Sequence, residues 1–204
     1  MFIVFEGPEG SGKSTQAKLL ADSLRNDDRR VVLTREPGGT LLGERLRTLL
    51  LDPQIEAVSP LAEALLYTAA RAEHVERVIA PALAAGDTVI CDRFSDSTMA
   101  YQGGGRGLDL VQLQEVQRFA TSGLEPDLRI LLDLPVDVGL ARRHADPDSI
   151  NRLDGESLAF HRRVREVYLA AANANPGSWM IVNAERPQAK IAAELLQAVR
   201  ERLT

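Results

Sequence analysis

Eight residues near the start of the chain, Gly7-Pro8-Glu9-Gly10-Ser11-Gly12-Lys13-Ser14, have the types and spacing needed to hold a polyphosphate. In the pattern G-x-x-x-x-G-K-[ST], glycines let backbone N–H groups turn inward around an anion, where side chains would obstruct them. A helix starting at the end of such a loop aims its positive pole at the same anion. Lys13 is expected to reach the β- and γ-phosphates as a point charge, and Ser14 to offer its hydroxyl to Mg²⁺. Thr15 adjoins them and is grouped with Gly7 to Ser14 as nucleotide-binding. The flanks agree with this reading. The apolar run Phe2-Ile3-Val4-Phe5 enters the loop, and Ala17, Leu20, Ala21 and Leu24 share one helical face after it.

Further reactive residues follow other strand-like runs. Arg35-Glu36-Pro37-Gly38-Gly39-Thr40 takes an arginine into a rigid turn, where it forks onto a phosphate or sits on the surface. Asp92 follows a third run, where a carboxylate serves a magnesium ion through bound water or caps a helix. Arg93 would add a positive charge between two phosphate groups. Tyr67 and Arg71 lie four residues apart, hence on one helix face. They suit stacking and edge-on bonding to a nucleobase, or Tyr67 is a core aromatic. The stretch Ser95 to Gly107 ends in four glycines within five positions and is expected to be irregular, as a pocket wall or a flexible turn. Arg142, Arg143, His144, Asp146, Pro147, Asp148 and Arg152 form a polar, proline-broken segment that closes over a polyphosphate or stays solvated. Arg162, Arg163 and Arg165 read as a solvated helix face. His74, His144 and His161 lack metal-ligand spacing and are expected at the surface or partly packed, and Cys91 as a small buried hydrophobe.

The elements that must position these residues alternate. Strands are expected at 2–6, 30–34, 87–91, 128–133 and 179–183, several of them continuously apolar, as buried parallel strands are. Helical patterns cover about 13–26, 41–51, 59–84, 109–121, 136–144, 156–173 and 187–203. The third has Ser59 as N-cap and Pro60 at its first position, stops at Gly86, and is expected to kink at Pro81. Such alternation means an open α/β sheet whose ligands bind beyond the carboxyl ends of its strands. At 204 residues the chain is expected to be a single domain. Its net charge of −5 argues against a general binder of nucleic acid or membrane surfaces. No apolar run reaches the ~20 residues that span a bilayer. Glu6 and Glu9 interrupt any signal-peptide core, and a single cysteine excludes an internal disulfide.

Taken together, the Gly7–Ser14 loop, the Arg35–Thr40 segment, Tyr67-Thr68-Ala69-Ala70-Arg71, Asp92-Arg93-Phe94, Tyr101-Gln102-Gly103-Gly104-Gly105-Arg106-Gly107 and Asn151-Arg152-Leu153-Asp154 resemble the bacterial thymidylate kinase family. The resemblance covers essentially the whole chain in order. It implies a P-loop NTPase fold of the nucleoside monophosphate kinase type: an open parallel sheet of about five strands with helices on both faces, in three αβα layers. It also implies a lid at about 142–154, transfer of the γ-phosphoryl of ATP to dTMP with Mg²⁺, and a homodimer; a cytoplasmic location is expected from the absence of targeting signals and the need for an ATP pool. It makes Arg35 the clamp on the monophosphate, Tyr67 the aromatic over thymine and Arg71 the donor to the base. Ser97, Thr98 and Gln102 fall on the substrate side, and Tyr101 crowds the sugar 2′ position. Glu9 lies near the sugar 3′-OH, and Asp92 and Arg93 serve the metal side and the acceptor phosphate. Some members carry a catalytic arginine within the loop. Here that place is Gly10, so the resemblance is to the class that supplies it from the lid, with Arg143 and Arg152 as candidates and Arg142 toward the adenine.

Phosphoryl transfer between two polyanions needs alignment and charge neutralisation more than a general base. An alternative is a P-loop kinase acting on thymidine or a related nucleoside, with Glu9 or Asp92 as base; Arg35 at a phosphate-clamp position argues against it. A GTP-dependent switch would need an Asn-Lys-x-Asp segment and an Asp-x-x-Gly segment, and the sequence contains neither.

Overall fold

The computed structural model describes residues 1–55, 58–145 and 150–203. Strands β1 (Phe2–Glu6), β2 (Val31–Arg35), β3 (Thr88–Asp92), β4 (Leu128–Asp133) and β5 (Trp179–Asn183) form one sheet in the order β2-β3-β1-β4-β5. All its pairings are parallel. The helices are α1 (Lys13–Asn26), α2 (Leu41–Leu51), α3 (Pro60–His74), α4 (Ala80–Ala84), α5 (Ser95–Thr98), α6 (Leu110–Ala120), α7 (Val136–His144), α8 (Leu158–Ala174) and α9 (Gln188–Leu203).

Both faces of the sheet are covered, which is why β1 reads FIVFE and is buried throughout. The two-residue strand period sends Ile3 and Phe5 into a cluster with Leu20, Leu24, Ile191 and Leu195 of α1 and α9. It sends Phe2 and Val4 the other way, onto Val75, Ile79 and Phe94. A third cluster joins Tyr101, Leu131, Phe160 and Tyr168 beneath α8. Each large apolar side chain so buried contributes about 1.5–3 kcal/mol. Because β1 lies between β3 and β4, the loop leaving it sits where the strand order reverses, the place where such sheets bind ligands.

The expected elements are all present, with five differences from the expectations. β2 and β3 end one residue later than their apolar runs, because Arg35 pairs with Asp92 across the ladder. Both residues are therefore anchored at their backbones by the sheet rather than by a turn. The 59–84 helix is interrupted not at Pro81 but one turn earlier, by a π-helical turn at Val75–Ile79. Proline lacks an N–H and its ring presses on the carbonyl four residues back, so the widened turn precedes it. The glycine-rich stretch is not irregular: Met99–Gly105 forms a π-helical segment against α8. A Cβ at Gly104 would lie 2.5 Å from Val167, and one at Gly105 2.4 Å from the Phe160 ring, so these glycines serve close packing. His74 and His161 are buried, while His144 is exposed as expected. His74 is bonded to Thr34 Oγ1 at 2.7 Å and to Glu36 at 3.0 Å, partners that lie far off in sequence. The arginine face of α8 is only partly solvated, since Arg163 donates to the carbonyls of Gly104 and Gly105 and Arg165 pairs with Asp133.

Candidate active site

The carboxyl ends of β1, β2 and β3 open into a cleft of about 750 Å³. Among its described lining residues seven are basic (Lys13, Arg35, Arg47, Arg71, Arg93, Arg142, Arg143) and four acidic (Glu9, Glu36, Glu44, Asp92). A positive cleft in a protein of charge −5 is a focused site for anions.

The loop after β1 forms one wall. Gly12 begins α1 in a left-handed conformation with no side-chain cap, so the first N–H groups of the helix have no capping side chain. Lys13 lies back across the loop, donating to Pro8 O at 2.8 Å and Ser11 Oγ at 3.3 Å. Burial and the nearby Arg93 charge pull its ammonium down to about 8, against the opposing pull of Glu9, Asp92 and Glu6. The loop also packs on α7 without any side chain between. A Cβ on Gly10 would lie 2.1 Å from Gly139 O, and one on Gly139 2.3 Å from Glu9 O.

Arg93 sits at the centre. It has a left-handed backbone at φ 74°, a strained conformation for a non-glycine residue. Its guanidinium donates to Glu9 Oε1 at 2.9 Å, Tyr101 OH at 3.1 Å, Tyr168 OH at 3.2 Å, Ser97 Oγ at 3.3 Å and Gly7 O at 3.2 Å. Burial alone would raise the Glu9 carboxyl, but Arg93, Lys13 and the Tyr101 hydroxyl bring it down to about 2. Glu9 is thus a fixed anion, and Tyr101 donates to it at 2.7 Å. Ser14 donates its hydroxyl to Asp92 Oδ2, while Asp92 Oδ1 is buried with no hydrogen-bond partner. An orphaned carboxylate oxygen beside a hydroxyl is a hard-oxygen donor set, and it fits a magnesium ion.

The other wall comes from β2, α2, α3 and α5. Arg71 is buried; its Nε meets Glu36 at 2.7 Å, its Nη1 meets Thr98 Oγ1 at 2.9 Å and Gln117, and its Nη2 meets Phe94 O at 2.8 Å. A charged group this deep needs that full set of partners. Tyr67 is half-buried on the same face of α3, and burial together with the Glu63 charge keeps its phenol protonated. Arg35 pairs with Glu44 at 3.0 Å, in the open. Gln102 does not end freely in the cleft, because it donates to the buried Glu63 at 2.9 Å.

Arg142 and Arg143 end α7 and Arg152 lies beyond it, and the three point to different partners. Arg142 reaches Ala184 O at 3.1 Å beside the loop. Arg143 lines the cleft and pairs with Asp154 at 2.8 Å. Arg152 does not line it. Its guanidinium goes to Glu63 at 2.5 Å and Leu50 O at 3.1 Å, behind the acceptor wall. Of the lid expected at about 142–154, residues 146–149 (including Asp146, Pro147 and Asp148) lie outside the described residues.

Sequence reasoning missed three residues here. Arg47 lines the cleft and donates to Pro37 O at 3.1 Å. Helical spacing puts it on the face of the buried Gly43 and Leu50, and a cation on an inward face is a readable signal. Glu63 stands likewise on the buried face of α3 and takes Gln102, Arg106 and Arg152. Glu6, read from sequence only as an interruption of any signal-peptide core, ends the apolar β1 strand, and a charge at that strand end is the signal for a role near the site.

Comparison with known proteins agrees with this geometry. Residues 5–195 match the family model described as thymidylate kinase. A thymidylate kinase of Thermomicrobium roseum is 56% identical over 200 residues, covering 98% of this chain and 94% of that protein. One of Deinococcus radiodurans is 48% identical, covering 99% and 97% respectively. The crystal structure of a thymidylate kinase from Ehrlichia chaffeensis superposes with a TM-score of 0.79 at 34% identity, covering 98% of both chains.

Proposed function

The chain belongs to the thymidylate kinase family, and on that premise we propose that its cleft is divided into a donor half for ATP and an acceptor half for dTMP. The reaction transfers the γ-phosphoryl group of ATP to dTMP, giving dTDP and ADP. The observation that carries the division is the excess of cations lining one cleft, spread from Lys13 and Arg142 at one wall to Arg35, Arg47 and Arg71 at the other, with Arg93 between. Two polyanions repel, and a row of fixed positive charges lets both bind and approach in line.

In the donor half, the loop Gly7–Gly12, Lys13, Ser14 and Thr15 hold the triphosphate, and Arg142 flanks the adenine. Ser14 and Asp92 are placed to hold Mg²⁺, which supplies charge neutralisation on the phosphates when bound. In the acceptor half, Arg35 and Arg47 hold the monophosphate, Arg71 with Thr98 faces the base, Tyr67 stacks on it, and Tyr101 and Gln102 close the sugar side. Arg71 is pre-set for this by Glu36, so recognition costs little reorganisation. Arg93 lies between the halves, and Arg143 approaches the transferring group from the 142–154 lid as part of a single domain. No residue need take a proton, because the acceptor phosphate is ionised near neutral pH.

We place the enzyme in the cytoplasm, with its ATP; among the described residues no helix is long and apolar enough to cross a membrane. We also propose a homodimer, supported by the exposed Leu61 and Leu65 of α3 and Leu42 and Leu49 of α2. Coupled ADP release with dTMP, dUMP, UMP, CMP, AMP and thymidine as acceptors tests the assignment. Preference for dTMP is expected; preference for thymidine would move the phosphate clamp out of the acceptor half and require Glu9 or Asp92 as base.

A further inference from the structure

Glu6 is a carboxylate with no exposed surface, one layer beneath the cleft, and the mechanism above does not use it. Its Oε1 accepts from Phe94 N at 2.9 Å. Its Oε2 accepts from Ser97 Oγ at 2.6 Å and from Tyr168 OH at 2.9 Å. Both hydroxyl oxygens are in turn acceptors for Arg93 Nη1. We propose that Glu6 is a positioning residue for Arg93: its carboxylate draws the Ser97 and Tyr168 hydroxyl protons onto itself and so turns the lone pairs of both oxygens toward the guanidinium.

The geometry supports this in two ways. First, a hydroxyl can donate or accept, and a guanidinium only donates, so the grip on Arg93 depends on where those two protons point. Carboxylate Oε2 is the acceptor common to both, and its charge strengthens both bonds. Second, the same side chain holds the backbone next to Arg93. The left-handed Arg93 is pinned by its own N–H on Phe5 O at 2.9 Å and by Phe94 N on Glu6 Oε1, from two consecutive residues of β1. A strained conformation persists when its surroundings over-determine it. Glu6 thus fixes the backbone of Arg93 from one oxygen and its head from the other.

Glu6→Gln keeps the shape and reverses the polarity. Phe94 N–H fixes the amide oxygen at the Oε1 position, so the NH₂ group faces the two hydroxyls as a donor. The hydroxyl protons lose their shared acceptor; Ser97 Oγ and Tyr168 OH lie 2.8 Å apart, so one proton can pass into the bond between them, and the other is left to turn toward Arg93. In the native protein, burial and the like charge of Asp96 push the Glu6 carboxyl up to about 7, against the Ser97 bond, the Arg93 charge and the Phe94 amide. The groups facing Glu6 are Arg93 after β3, Asp96 of α5 (itself paired with Arg129 at 2.9 Å), Tyr168 of α8, Lys13 of α1 and Cys91 of β3. Acid therefore removes the same charge that the amide substitution removes.

The inference rests on Arg93 acting at the acceptor phosphate, and the test separates the two. We would measure kcat at saturating ATP and dTMP from about pH 6 to about pH 9 for wild type, Glu6→Gln, Tyr168→Phe and Arg93→Ala, with a melting curve for each. Glu6→Gln is expected to lower kcat about tenfold near pH 9, the size of one compromised hydrogen bond to a charged group. The deficit should shrink toward pH 6, where the wild-type carboxyl is itself protonated; titration of the substrates cancels in the ratio. A deficit below twofold at high pH, or one equal at every pH, overturns the proposal. If Glu6→Gln does not fold, Tyr168→Phe carries the test: about a threefold loss supports the relay and unchanged kcat overturns it. Full activity in Arg93→Ala would sink the placement of Arg93 itself, whereas a disabled Arg93→Ala beside an unaffected Glu6→Gln sinks only the role of Glu6.

Discussion

Arg152 and Arg143 lie nine residues apart in the expected lid, yet they have different partners and only Arg143 lines the cleft, so substituting each should separate stability from chemistry. Arg152→Ala removes one ion pair from Glu63, whose carboxylate is fully buried. An abandoned buried charge costs about 3–5 kcal/mol. Here Glu63 is not abandoned, since Arg106 still reaches it at 3.1 and 3.2 Å and Gln102 at 2.9 Å. The loss is then one charge-assisted hydrogen bond, about 1.5–3 kcal/mol. For a chain of this length that is a fall in Tm of roughly 3–12 °C. Single-turnover phosphoryl transfer by rapid quench should change less than about threefold, because Arg152 does not face the cleft. Arg143→Ala should instead lower that rate by about 10²–10³, the loss of one preorganised donor at the transferring group. A hundredfold slower transfer in Arg152→Ala with an unchanged Tm would refute this division, and so would full transfer in Arg143→Ala.

Two more outcomes follow from the same geometry. Asp92→Asn should raise the Mg²⁺ concentration for half-maximal activity by about tenfold or more, since it neutralises the buried, unpartnered Oδ1; an unchanged magnesium titration would count against the Ser14–Asp92 site. Glu9 falls to about 2 in the folded protein from an ordinary 4.5, so its stabilising contribution is complete above pH 4.5 and is lost as pH falls toward 2. The Tm gap between wild type and Glu9→Gln should therefore close in acid, while Glu6, shifted upward, works in the opposite direction between about 4.5 and 7.

Most of the fold was legible because burial on both sheet faces writes itself as unbroken apolar runs, as in Phe2–Phe5 and Val89–Cys91. The turn from β1 into α1 was legible because its pattern is local: eight consecutive residues, Gly7–Ser14, make it. What stayed hidden depends on partners far apart in sequence. Arg71 and Tyr67 could be put on one face, but the partners that bury Arg71 come from Glu36, Phe94, Thr98 and Gln117. Arg152 and Arg143 look alike in a polar segment, and partners such as Glu63, eighty-nine residues from Arg152, tell them apart. The glycines of 103–105 signal looseness when read alone and close packing once Phe160 and Val167 are beside them.

The bare backbone contact between Gly10 and Gly139 bears on how such enzymes can diverge. Position 10 is where an arginine would stand if the loop itself supplied the catalytic charge. Any Cβ there strikes the carbonyl of Gly139, so α7 would have to retreat first. That helix also carries Arg143, whose proposed role at the transferring group the incoming arginine would take over. The two arrangements are thus alternative backbones rather than alternative side chains. A lineage or a designer moving between them therefore meets a constraint on order: the arginine cannot be seated at position 10 until the backbone of Gly139 has moved away.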